Sequence, residues 1–348
     1  MKKSFCPRLL ALSVLCYCGV SATSPVKQAK AETVLPVYTV GRAECVMEKN
    51  SRRILYEANG DVRLPMASTT KIATAITVLE HCSNIKDEIT IPQEAEGIEG
   101  SSVYLRKGDI YTIEDLLYGL MLRSGNDCAT ALALSCSGSI EDFAAKMNQT
   151  AQKAGALATK FANPHGLPCE GHYTTARDLS LITCYAMQNP TFCEIVSTKY
   201  YAPHSWKNKN KILFNYENAI GVKTGYTKEA GRCLVSAAKQ GEMTLICPVL
   251  GCQDMYERSQ ELLQDAFLAY EYVKLVDENE LFDISESKSK GKTYESVYYP
   301  LLPEEKELIS IKTIGIKNKR KDVKGEIIGQ IQIFLAKRLL FSKNLYKL

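Results

Sequence analysis

The chain has 348 residues, of which 45% are hydrophobic and 24% are charged. These values are typical of a folded globular protein and exclude an intrinsically disordered chain. The first 31 residues hold five of the 43 basic residues and none of the 39 acidic ones, so the remainder has a formal net charge of −1. A near-neutral chain lacks the positive field that general nucleic-acid binding requires, so we expect no nucleic-acid partner.

The N-terminus has the layout of a secretory signal peptide. Basic residues precede an apolar run over residues 9–20, and small residues suited to cleavage follow, ending at Ala22 or Ala31. The run is shorter than a membrane-spanning helix requires. We therefore predict a signal peptide over residues 1–31 and an exported protein in the cell wall or at the outer face of the cytoplasmic membrane. An uncleaved anchor is the alternative.

Ten of the 13 cysteines lie beyond residue 31. An even number of cysteines in an exported chain is compatible with a disulfide framework. Most of these cysteines stand in apolar segments, where cysteine behaves as a small buried hydrophobe, and the sequence contains no Cys-x-x-Cys pair. We predict free, buried thiols and no metal site, with disulfides as the alternative.

The first predicted elements are two short strands within residues 37–56. A buried helix is predicted to begin at Ser68 and to end near His81, because apolar residues follow at helical spacing. A second helix is predicted to begin after Thr112, whose side chain can cap it, and to end at Ser124. Further helices are predicted at residues 127–134, 140–155 and 175–187.

Strands follow this helical middle of the chain. Apolar runs predict a strand at each of residues 221–226, 233–239 and 243–250, and an amphipathic pattern predicts a helix over 254–273. We therefore predict an α+β fold, in which helices flank an antiparallel sheet and form a helical subdomain.

The helical pattern fades after residue 276. Residues 285–292 are polar and rich in lysine, which predicts a linker or loop. Short alternating runs then predict a small C-terminal all-β domain, with strands at residues 295–299, 308–314 and 326–334. We place the catalytic domain at residues 32–275 and the β-rich domain at residues 276–348. Basic residues within 317–324 are expected to form a solvated loop, or else to contact an anionic envelope surface.

Ser68-Thr-Thr-Lys71 places a hydroxyl and an amine one helical turn apart. Seven Ser-x-x-Lys strings occur in the chain, so the string alone has little specificity. At the start of a buried helix, however, the helix N-terminus stabilises a developing oxyanion. A partly desolvated lysine also loses its proton more readily, so Lys71 can activate Ser68. The alternative is a structural serine and lysine.

Two further motifs follow in the chain. Ser124 can carry a proton to a leaving amine, and Asn126 can bind an amide and position the lysine. Lys223 and Thr224 begin a predicted strand and suit a substrate carboxylate, while Gly225 permits close approach of a backbone. The alternatives are an ordinary turn after a helix and an edge-strand lysine.

In this order the three motifs resemble those of the penicillin-recognising serine enzymes. They resemble most the serine-type D-alanyl-D-alanine carboxypeptidases of the low-molecular-mass penicillin-binding group, through the flanking segments 64–71, 116–127, 163–178 and 221–227. The resemblance covers roughly residues 37–273, and the C-terminal region more loosely. It implies a β-lactamase/transpeptidase-like catalytic domain that needs no metal or organic cofactor.

The resemblance implies that Ser68 is the acylated nucleophile and Lys71 its base. Ser124 would act as a proton shuttle, with Asn126 assisting. The implied reaction removes the terminal D-alanine from peptidoglycan stem pentapeptides, and β-lactams would act as covalent inhibitors.

The third motif would bind and polarise the substrate. The resemblance implies that Lys223 and Thr224 bind its terminal carboxylate at Gly225, and that the backbone N–H groups of Ser68 and Tyr226 form the oxyanion hole. We expect His165 and His172 to stabilise a loop near the cleft rather than to react.

Other functions remain open. A class A β-lactamase would share the motifs, but it requires a Glu-x-x-x-Asn string, which none of the glutamates between the second and third motifs begins: Glu141, Glu170, Glu194 and Glu217. A cross-link endopeptidase uses the same reaction, and a non-catalytic envelope-binding protein could keep the fold. Members of the group often carry a C-terminal amphipathic helix that binds the membrane. The corresponding part of this chain holds a short apolar and basic segment at 337–343, so membrane contact is the weaker expectation.

Overall fold

The computed structural model describes residues 41–284, 289–316 and 325–348, and the predicted signal peptide lies outside them. Up to residue 270 the elements are β1 (Ala43–Glu48), β2 (Ile54–Ala58), α1 (Lys71–His81), β3 (Glu88–Thr90), β4 (Ile110–Thr112), α2 (Ile113–Tyr118), α3 (Asn126–Ser137), α4 (Ile140–Ala154), α5 (Ala176–Ala186), α6 (Pro190–Ser197), β5 (Tyr200–Tyr201), β6 (Trp206–Lys207), α7 (Ile212–Asn215), β7 (Ala219–Thr227), β8 (Gly231–Gln240), β9 (Met243–Leu250) and α8 (Met255–Ala269). Beyond it lie β10 (Glu271–Val276), β11 (Phe282–Ile284), β12 (Ser289–Lys292), β13 (Val297–Leu301), β14 (Ile309–Gly315), β15 (Ile327–Leu335) and β16 (Arg338–Lys347).

The central sheet has five antiparallel strands in the order β2-β1-β9-β8-β7. Every residue of β1 and β9 is buried, because both faces of these strands are covered. Side chains of one face, such as Cys45 and Ile246, pack against the helical subdomain, whereas Val46 and Leu245 on the other face pack against α8. The predicted α+β class is confirmed.

Helix α1 is the central helix of the helical subdomain. All residues from Lys71 to Val78 are buried, because small and apolar side chains surround the helix axis on every side. On its flank, Thr77 Oγ1 donates to Thr150 Oγ1 of α4 at 3.1 Å. Thr112 caps α2 as predicted, since its Oγ1 accepts a hydrogen bond from Asp115 N at 3.0 Å. No helix in the described ranges has the length and apolarity needed to cross a membrane.

The predicted helix over 254–273 is too long at its C-terminal end. Helix α8 stops at Ala269, and Glu271 begins strand β10, which pairs with β13. The ring of Tyr272 stacks on that of Tyr298 with centroids 5.4 Å apart. Aromatic and β-branched residues fit a paired strand better than a helix, and pairing with a distant strand decides between the two.

The predicted loop over 285–292 is wrong for its second half, and residues 285–288 lie outside the described residues. Residues 289–292 form β12, an inner strand of a second sheet with the order β11-β12-β16-β15-β14. Gly291 pairs with Phe282 on one side and Lys347 on the other. Its Cβ position would lie 3.1 Å from Leu345 Cβ, so a glycine allows the close packing that a polar sequence alone does not reveal.

The C-terminal sheet has its own small apolar core. Ile284, Ile331, Ile333 and Leu345 are almost fully buried in it. The three predicted strands of this region correspond to β13, β14 and β15, each within two residues of its predicted start. Strand β16, which pairs with β15, was not predicted. The domain boundary at 275/276 stays a prediction.

Arg53 joins the two sheet-containing regions of the chain. Its guanidinium donates to both carboxylate oxygens of Glu305, at 2.9 and 2.6 Å, and to Pro300 O at 2.6 Å. The guanidinium also lies over the rings of Tyr270 and Tyr299, 5.1 and 5.2 Å from their centroids. Only 12% of the Arg53 side chain is exposed, so water competes little with this bidentate pair.

We expect Arg53→Ala to lower the free energy of unfolding by about 2–4 kcal/mol, because Glu305 would lose its cation while remaining mostly buried. Urea titration followed by circular dichroism measures the change. Lys86→Ala is the control, since Lys86 also pairs with a glutamate, Glu114, but its side chain is 65% exposed and the change should be much smaller. Equal effects of the two substitutions would contradict the prediction.

Candidate active site

Ser68 lies on a short 3₁₀ helix, Ala67–Thr70, directly before α1. Thr69 Oγ1 donates to Met66 O at 2.6 Å and closes this turn. Ala67 has a φ of +49°, a left-handed conformation that is unfavourable by about 1–2 kcal/mol for a residue with a Cβ. The turn leaves Ser68 partly exposed between buried neighbours, as a reacting hydroxyl requires.

Lys71 is fully buried one turn after Ser68. Its Nζ lies 3.0 Å from Ser68 Oγ, 2.6 Å from Asn126 Oδ1 and 2.7 Å from the backbone oxygen of His165. The structure thus brings the first and second motifs into direct contact through this amine. The carbonyl of His165 could not be predicted from side-chain motifs, because any residue type supplies a backbone oxygen.

Burial lowers the pKa of Lys71 well below its usual value, and the nearby cation of Lys223 lowers it further. The neutral amine has two hydrogens and one lone pair. Its hydrogens can be donated to Asn126 Oδ1 and His165 O, the two shorter contacts, which leaves the lone pair for the hydroxyl hydrogen of Ser68. This arrangement allows Lys71 to accept a proton from Ser68.

Ser124 and Asn126 lie on the turn between α2 and α3. A π-helical turn over Gly119–Arg123 precedes Ser124, which has a φ of +63° and is 6% exposed. Asn126 is the first residue of α3; its Nδ2 donates to Glu99 O at 2.5 Å while its Oδ1 accepts from Lys71. Ser124 therefore lies two residues before Asn126, whose side chain contacts Lys71.

Asp127 holds residues 102–105, the segment next to this turn, in place. Its carboxylate accepts hydrogen bonds from the backbone N–H groups of Val103 at 3.0 Å and Leu105 at 3.1 Å, and from the hydroxyl of Ser102 at 2.5 Å. Buried carboxylates need such donors to replace water. Asp127 was part of the recognised sequence motif, but its positioning role was not predicted.

The third motif lies on β7, the edge strand of the central sheet. Lys223 is 2% exposed, and its Nζ donates to Thr224 O at 2.9 Å. Burial lowers the pKa of Lys223 to about 7, with a further contribution from Lys209. A Cβ on Gly225 would lie 2.9 Å from the backbone nitrogen of Ser68, so the missing side chain lets β7 pack against the Ser68 turn. Tyr226 follows, with an exposed side chain.

The loop over residues 163–172 packs against the Ser68 turn. His172 Nδ1 accepts from Ala162 N at 3.1 Å, so in the neutral ring Nε2 carries the hydrogen and donates to Thr70 Oγ1 at 2.8 Å. Thr70 Oγ1 in turn donates to the carbonyl of Ala67 at 2.8 Å. Burial and Lys71 lower the pKa of His172 to about 4 and that of His165 to about 3, so both rings are neutral at pH 7. These contacts fit the predicted loop-stabilising role.

A cationic cavity of about 420 Å³ lies beside the Ser124 turn, lined by Arg123, Lys207, Asn208, Lys209, Lys211, Phe214 and Asn215. Lys209 connects it to the site, since its Nζ donates to Ser101 Oγ at 3.4 Å and Ser101 O accepts from Asn126 N at 2.7 Å. The lysines that line this cavity follow no spacing in the sequence that predicts a binding site.

Residues 30–254 match the family model described as D-alanyl-D-alanine carboxypeptidase, peptidase family S11. The chain belongs to this family. Its enzyme class is therefore that of the D-alanyl-D-alanine carboxypeptidases, and the predicted family membership is confirmed.

Relatives extend the similarity beyond the matched residues. The chain is 33% identical to D-alanyl-D-alanine carboxypeptidase DacF of Bacillus subtilis in an alignment 253 residues long, which covers 69% of this chain and 65% of that protein. It is 31% identical to D-alanyl-D-alanine carboxypeptidase DacA of Haemophilus influenzae in an alignment 337 residues long, which covers 90% of this chain and 85% of the relative. The crystal structure of penicillin binding protein 5 from Haemophilus influenzae superposes with a TM-score of 0.75 at 27% identity, covering 90% of this chain and 98% of that one.

We expect Gly225→Ala to slow acylation by a fluorescent penicillin by about 100-fold or more, because the new Cβ would push β7 away from the Ser68 backbone. Stopped-flow or gel-based labelling gives the rate. Gly241→Ala, at the turn between β8 and β9, is the control: it introduces a residue at a φ of +57° but meets no heavy atom within 4 Å. The prediction fails if Gly225→Ala labels at the wild-type rate.

We expect Lys223 to make stability depend on pH. Its pKa is about 7 in the folded chain, against the ordinary value of 10.5. The unfolded chain therefore binds more protons between these two pH values, so this group makes the free energy of unfolding rise with pH across the window. Lys223→Met should remove that contribution, and the wild type should gain stability over the variant from about pH 7 to about pH 10.

Urea midpoints at several pH values measure the effect, with Lys228→Met, which replaces an exposed lysine, as the control. Wild-type and Lys223→Met profiles that run parallel across the window would refute the prediction.

Proposed function

We propose that the chain is an exported serine D-alanyl-D-alanine carboxypeptidase that removes the terminal D-alanine from peptidoglycan stem pentapeptides through an acyl-enzyme at Ser68. The observation that carries the proposal is the buried Lys71 amine, 3.0 Å from Ser68 Oγ and with a lowered pKa. Activation of a serine by a neutral lysine is the step that the motif order implies. The signal-peptide layout supports export.

In the acylation step, Lys71 accepts the hydroxyl proton of Ser68 as Oγ attacks the carbonyl carbon between the two D-alanines. The backbone N–H groups of Ser68 and Tyr226 stabilise the oxyanion that forms. The C–N bond then breaks, and the leaving amine takes the proton held at Lys71 by way of Ser124. Water next attacks the ester carbon while Lys71 accepts one of its protons, the bond between the acyl carbon and Ser68 Oγ breaks, and Lys71 returns the proton to Oγ.

Lys223 and Thr224 bind the carboxylate of the terminal D-alanine. Because the pKa of Lys223 is about 7, a bound carboxylate stabilises the protonated form of this lysine and is itself held by the resulting ion pair. The cationic cavity next to the Ser124 turn suits other carboxylates of the stem peptide. Substrate specificity thus rests on negative charge at the end of the peptide and along it.

β-Lactams act on the same nucleophile. Their ring amide offers Ser68 a carbonyl next to a carboxylate, which Lys223 and Thr224 recognise as they recognise the substrate. The leaving nitrogen stays attached to the acyl group after ring opening, so it obstructs the attacking water and the ester persists. The absence of a Glu-x-x-x-Asn string between the second and third motifs argues against rapid hydrolysis of this ester.

The decisive experiment assays release of free D-alanine from a stem peptide that ends in D-Ala-D-Ala. We expect the wild type to release it and Ser68→Ala to lose at least about 1,000-fold in kcat. Lys71→Arg should also lose at least about 100-fold, because a guanidinium stays charged and cannot accept the proton. Lys153→Arg, which changes an exposed lysine of α4, is the matched control.

Parallel labelling with a fluorescent penicillin separates the remaining outcomes. Labelling of Ser68 without D-alanine release would indicate a cross-link endopeptidase or a binding protein. Release of D-alanine by Ser68→Ala at the wild-type rate would exclude Ser68 as the nucleophile. Neither release nor labelling of the folded wild type would overturn the proposal.

A further inference from the structure

A row of exposed cations borders the cationic cavity. Lysine alternates with asparagine over residues 207–211, and the three lysines are exposed while Asn208 and Asn210 are buried. Asn208 Nδ2 donates to Thr198 O at 2.9 Å, and its Oδ1 accepts from Asn210 N at 2.9 Å. The buried amides therefore fix this backbone, and all three ammonium groups line the same cavity.

These cations have no carboxylate partner in the described part of the chain. None of the basic side chains that line the cavity forms an ion pair there, and neither does the neighbouring Lys199. The cavity is lined by basic, amide and aromatic side chains, with no acidic one among the residues that the structure describes. Other exposed lysines, such as Lys153, do pair with a glutamate. Cations held together without a counter-ion attract negatively charged ligands.

An exposed aromatic pair extends this cationic row. Tyr200 pairs with Lys207 in the β5–β6 hairpin, and its ring meets that of Phe214 edge to face, with centroids 6.2 Å apart. Lys207 Nζ lies 4.9 Å from the centroid of Phe214 and 5.7 Å from that of Tyr200. Lys199 Nζ lies 5.7 Å from the centroid of Phe214. Both rings are exposed to solvent. Sugar rings present C–H bonds that pack on aromatic rings, and their hydroxyl and amide oxygens accept hydrogen bonds from ammonium groups. These side chains therefore have the composition of a carbohydrate-binding surface.

We propose that this lysine–aromatic surface binds the glycan strand of peptidoglycan beside the cationic cavity. The surface consists of Lys199, Tyr200, Lys207 and Phe214. The inference rests on the proposed function, since it concerns the polymer that carries the stem peptides. Its sugars offer apolar ring faces to the two aromatic rings, and the carboxylates of its peptides complement the lysines. A polyol phosphate would complement the lysines alone, so peptidoglycan is the occupant that matches both parts of the surface.

The surface is attached to the Ser124 turn, so a bound strand lies beside the reacting groups. Arg123 directly precedes Ser124, and its Nη1 donates to Lys207 O at 3.1 Å. Lys209 N donates to Leu122 O at 3.0 Å. A strand held at this surface raises the local concentration of its own stem peptides near Ser124. Polymeric substrate should gain from the contact, whereas a soluble stem peptide, which has no glycan, should not.

The binding test measures sedimentation of the purified Ser68→Ala protein with insoluble peptidoglycan from which phosphate polymers have been removed. In this background, Tyr200→Ala should raise the apparent Kd by about 5-fold or more, and Tyr200→Trp, which keeps an aromatic ring, should not. Lys199→Glu should weaken binding more at low than at high ionic strength. Tyr294→Ala is the matched control and should bind like its parent. It also removes a stacked, exposed tyrosine, 60% exposed against 63% for Tyr200, but from the C-terminal sheet.

The activity test uses the protein with Ser68 intact and measures D-alanine release from two substrates. Tyr200→Ala should lower kcat/KM for insoluble peptidoglycan by about 5-fold, and should change kcat/KM for a soluble stem peptide by less than about two-fold. The binding test requires no turnover, so it decides the inference even if the wild type releases no D-alanine and the proposed function fails.

Four outcomes would overturn the inference. Tyr200→Ala could bind peptidoglycan as tightly as its parent, or Tyr294→Ala could weaken binding equally. Tyr200→Ala could also lose the same activity on both substrates, which would place its effect in the active site. Displacement of the protein from peptidoglycan by soluble polyglycerol phosphate would assign the surface to a phosphate polymer. If Tyr200→Ala fails to fold, Lys199→Glu, which changes an exposed side chain, still decides between binding and no binding.

Discussion

The burial of the Lys71 amine is the constraint on which the rest of the site depends. An ammonium group in a closed, apolar helical subdomain is unfavourable, and the nearby Lys223 makes it more so. The protein compensates by surrounding Nζ with three oxygens, from Ser68, Asn126 and the backbone of His165. Each of these oxygens belongs to a different segment, so the position of one amine fixes the relative positions of three.

The elements around that amine are arranged to keep those segments in place. Thr74 Oγ1 donates to Pro164 O at 2.6 Å, and the ring of His172 bridges the Ser68 turn and residue 162, so the loop that supplies the His165 carbonyl is tied to α1. On the opposite side, Gly225 brings β7 against the backbone of Ser68. The left-handed conformation of Ala67 persists because the loop over residues 163–172 constrains it on one side and β7 on the other.

Most of the fold and the contacts of Lys71 with Ser68 and Asn126 could be predicted, because apolar periodicity and motif order carry that information. The buried helix after Ser68, the cap at Thr112 and the strand that holds Lys223 follow from local patterns of residues. Features that depend on distant partners could not be predicted. Strand β10 was assigned to a helix and β12 to a loop, since their structure is decided by pairing with β13, β11 and β16. The His165 carbonyl has no side-chain signal at all.

Two buried lysines in one cleft oppose the stability of the fold while they support its chemistry. A more apolar pair at positions 71 and 223 would avoid the desolvation of both ammonium groups, but it would remove the base and the carboxylate partner. The compensating stability must come from elsewhere, and the closely packed sheet with its two apolar faces supplies it. A sheet buried on both sides also resists movement at its edge, so β7 can hold Lys223 and Gly225 against the Ser68 turn without a covering strand beyond it. Burial therefore has two effects in this fold. Burial of apolar side chains makes the sheet rigid, and burial of Lys71 makes Ser68 reactive.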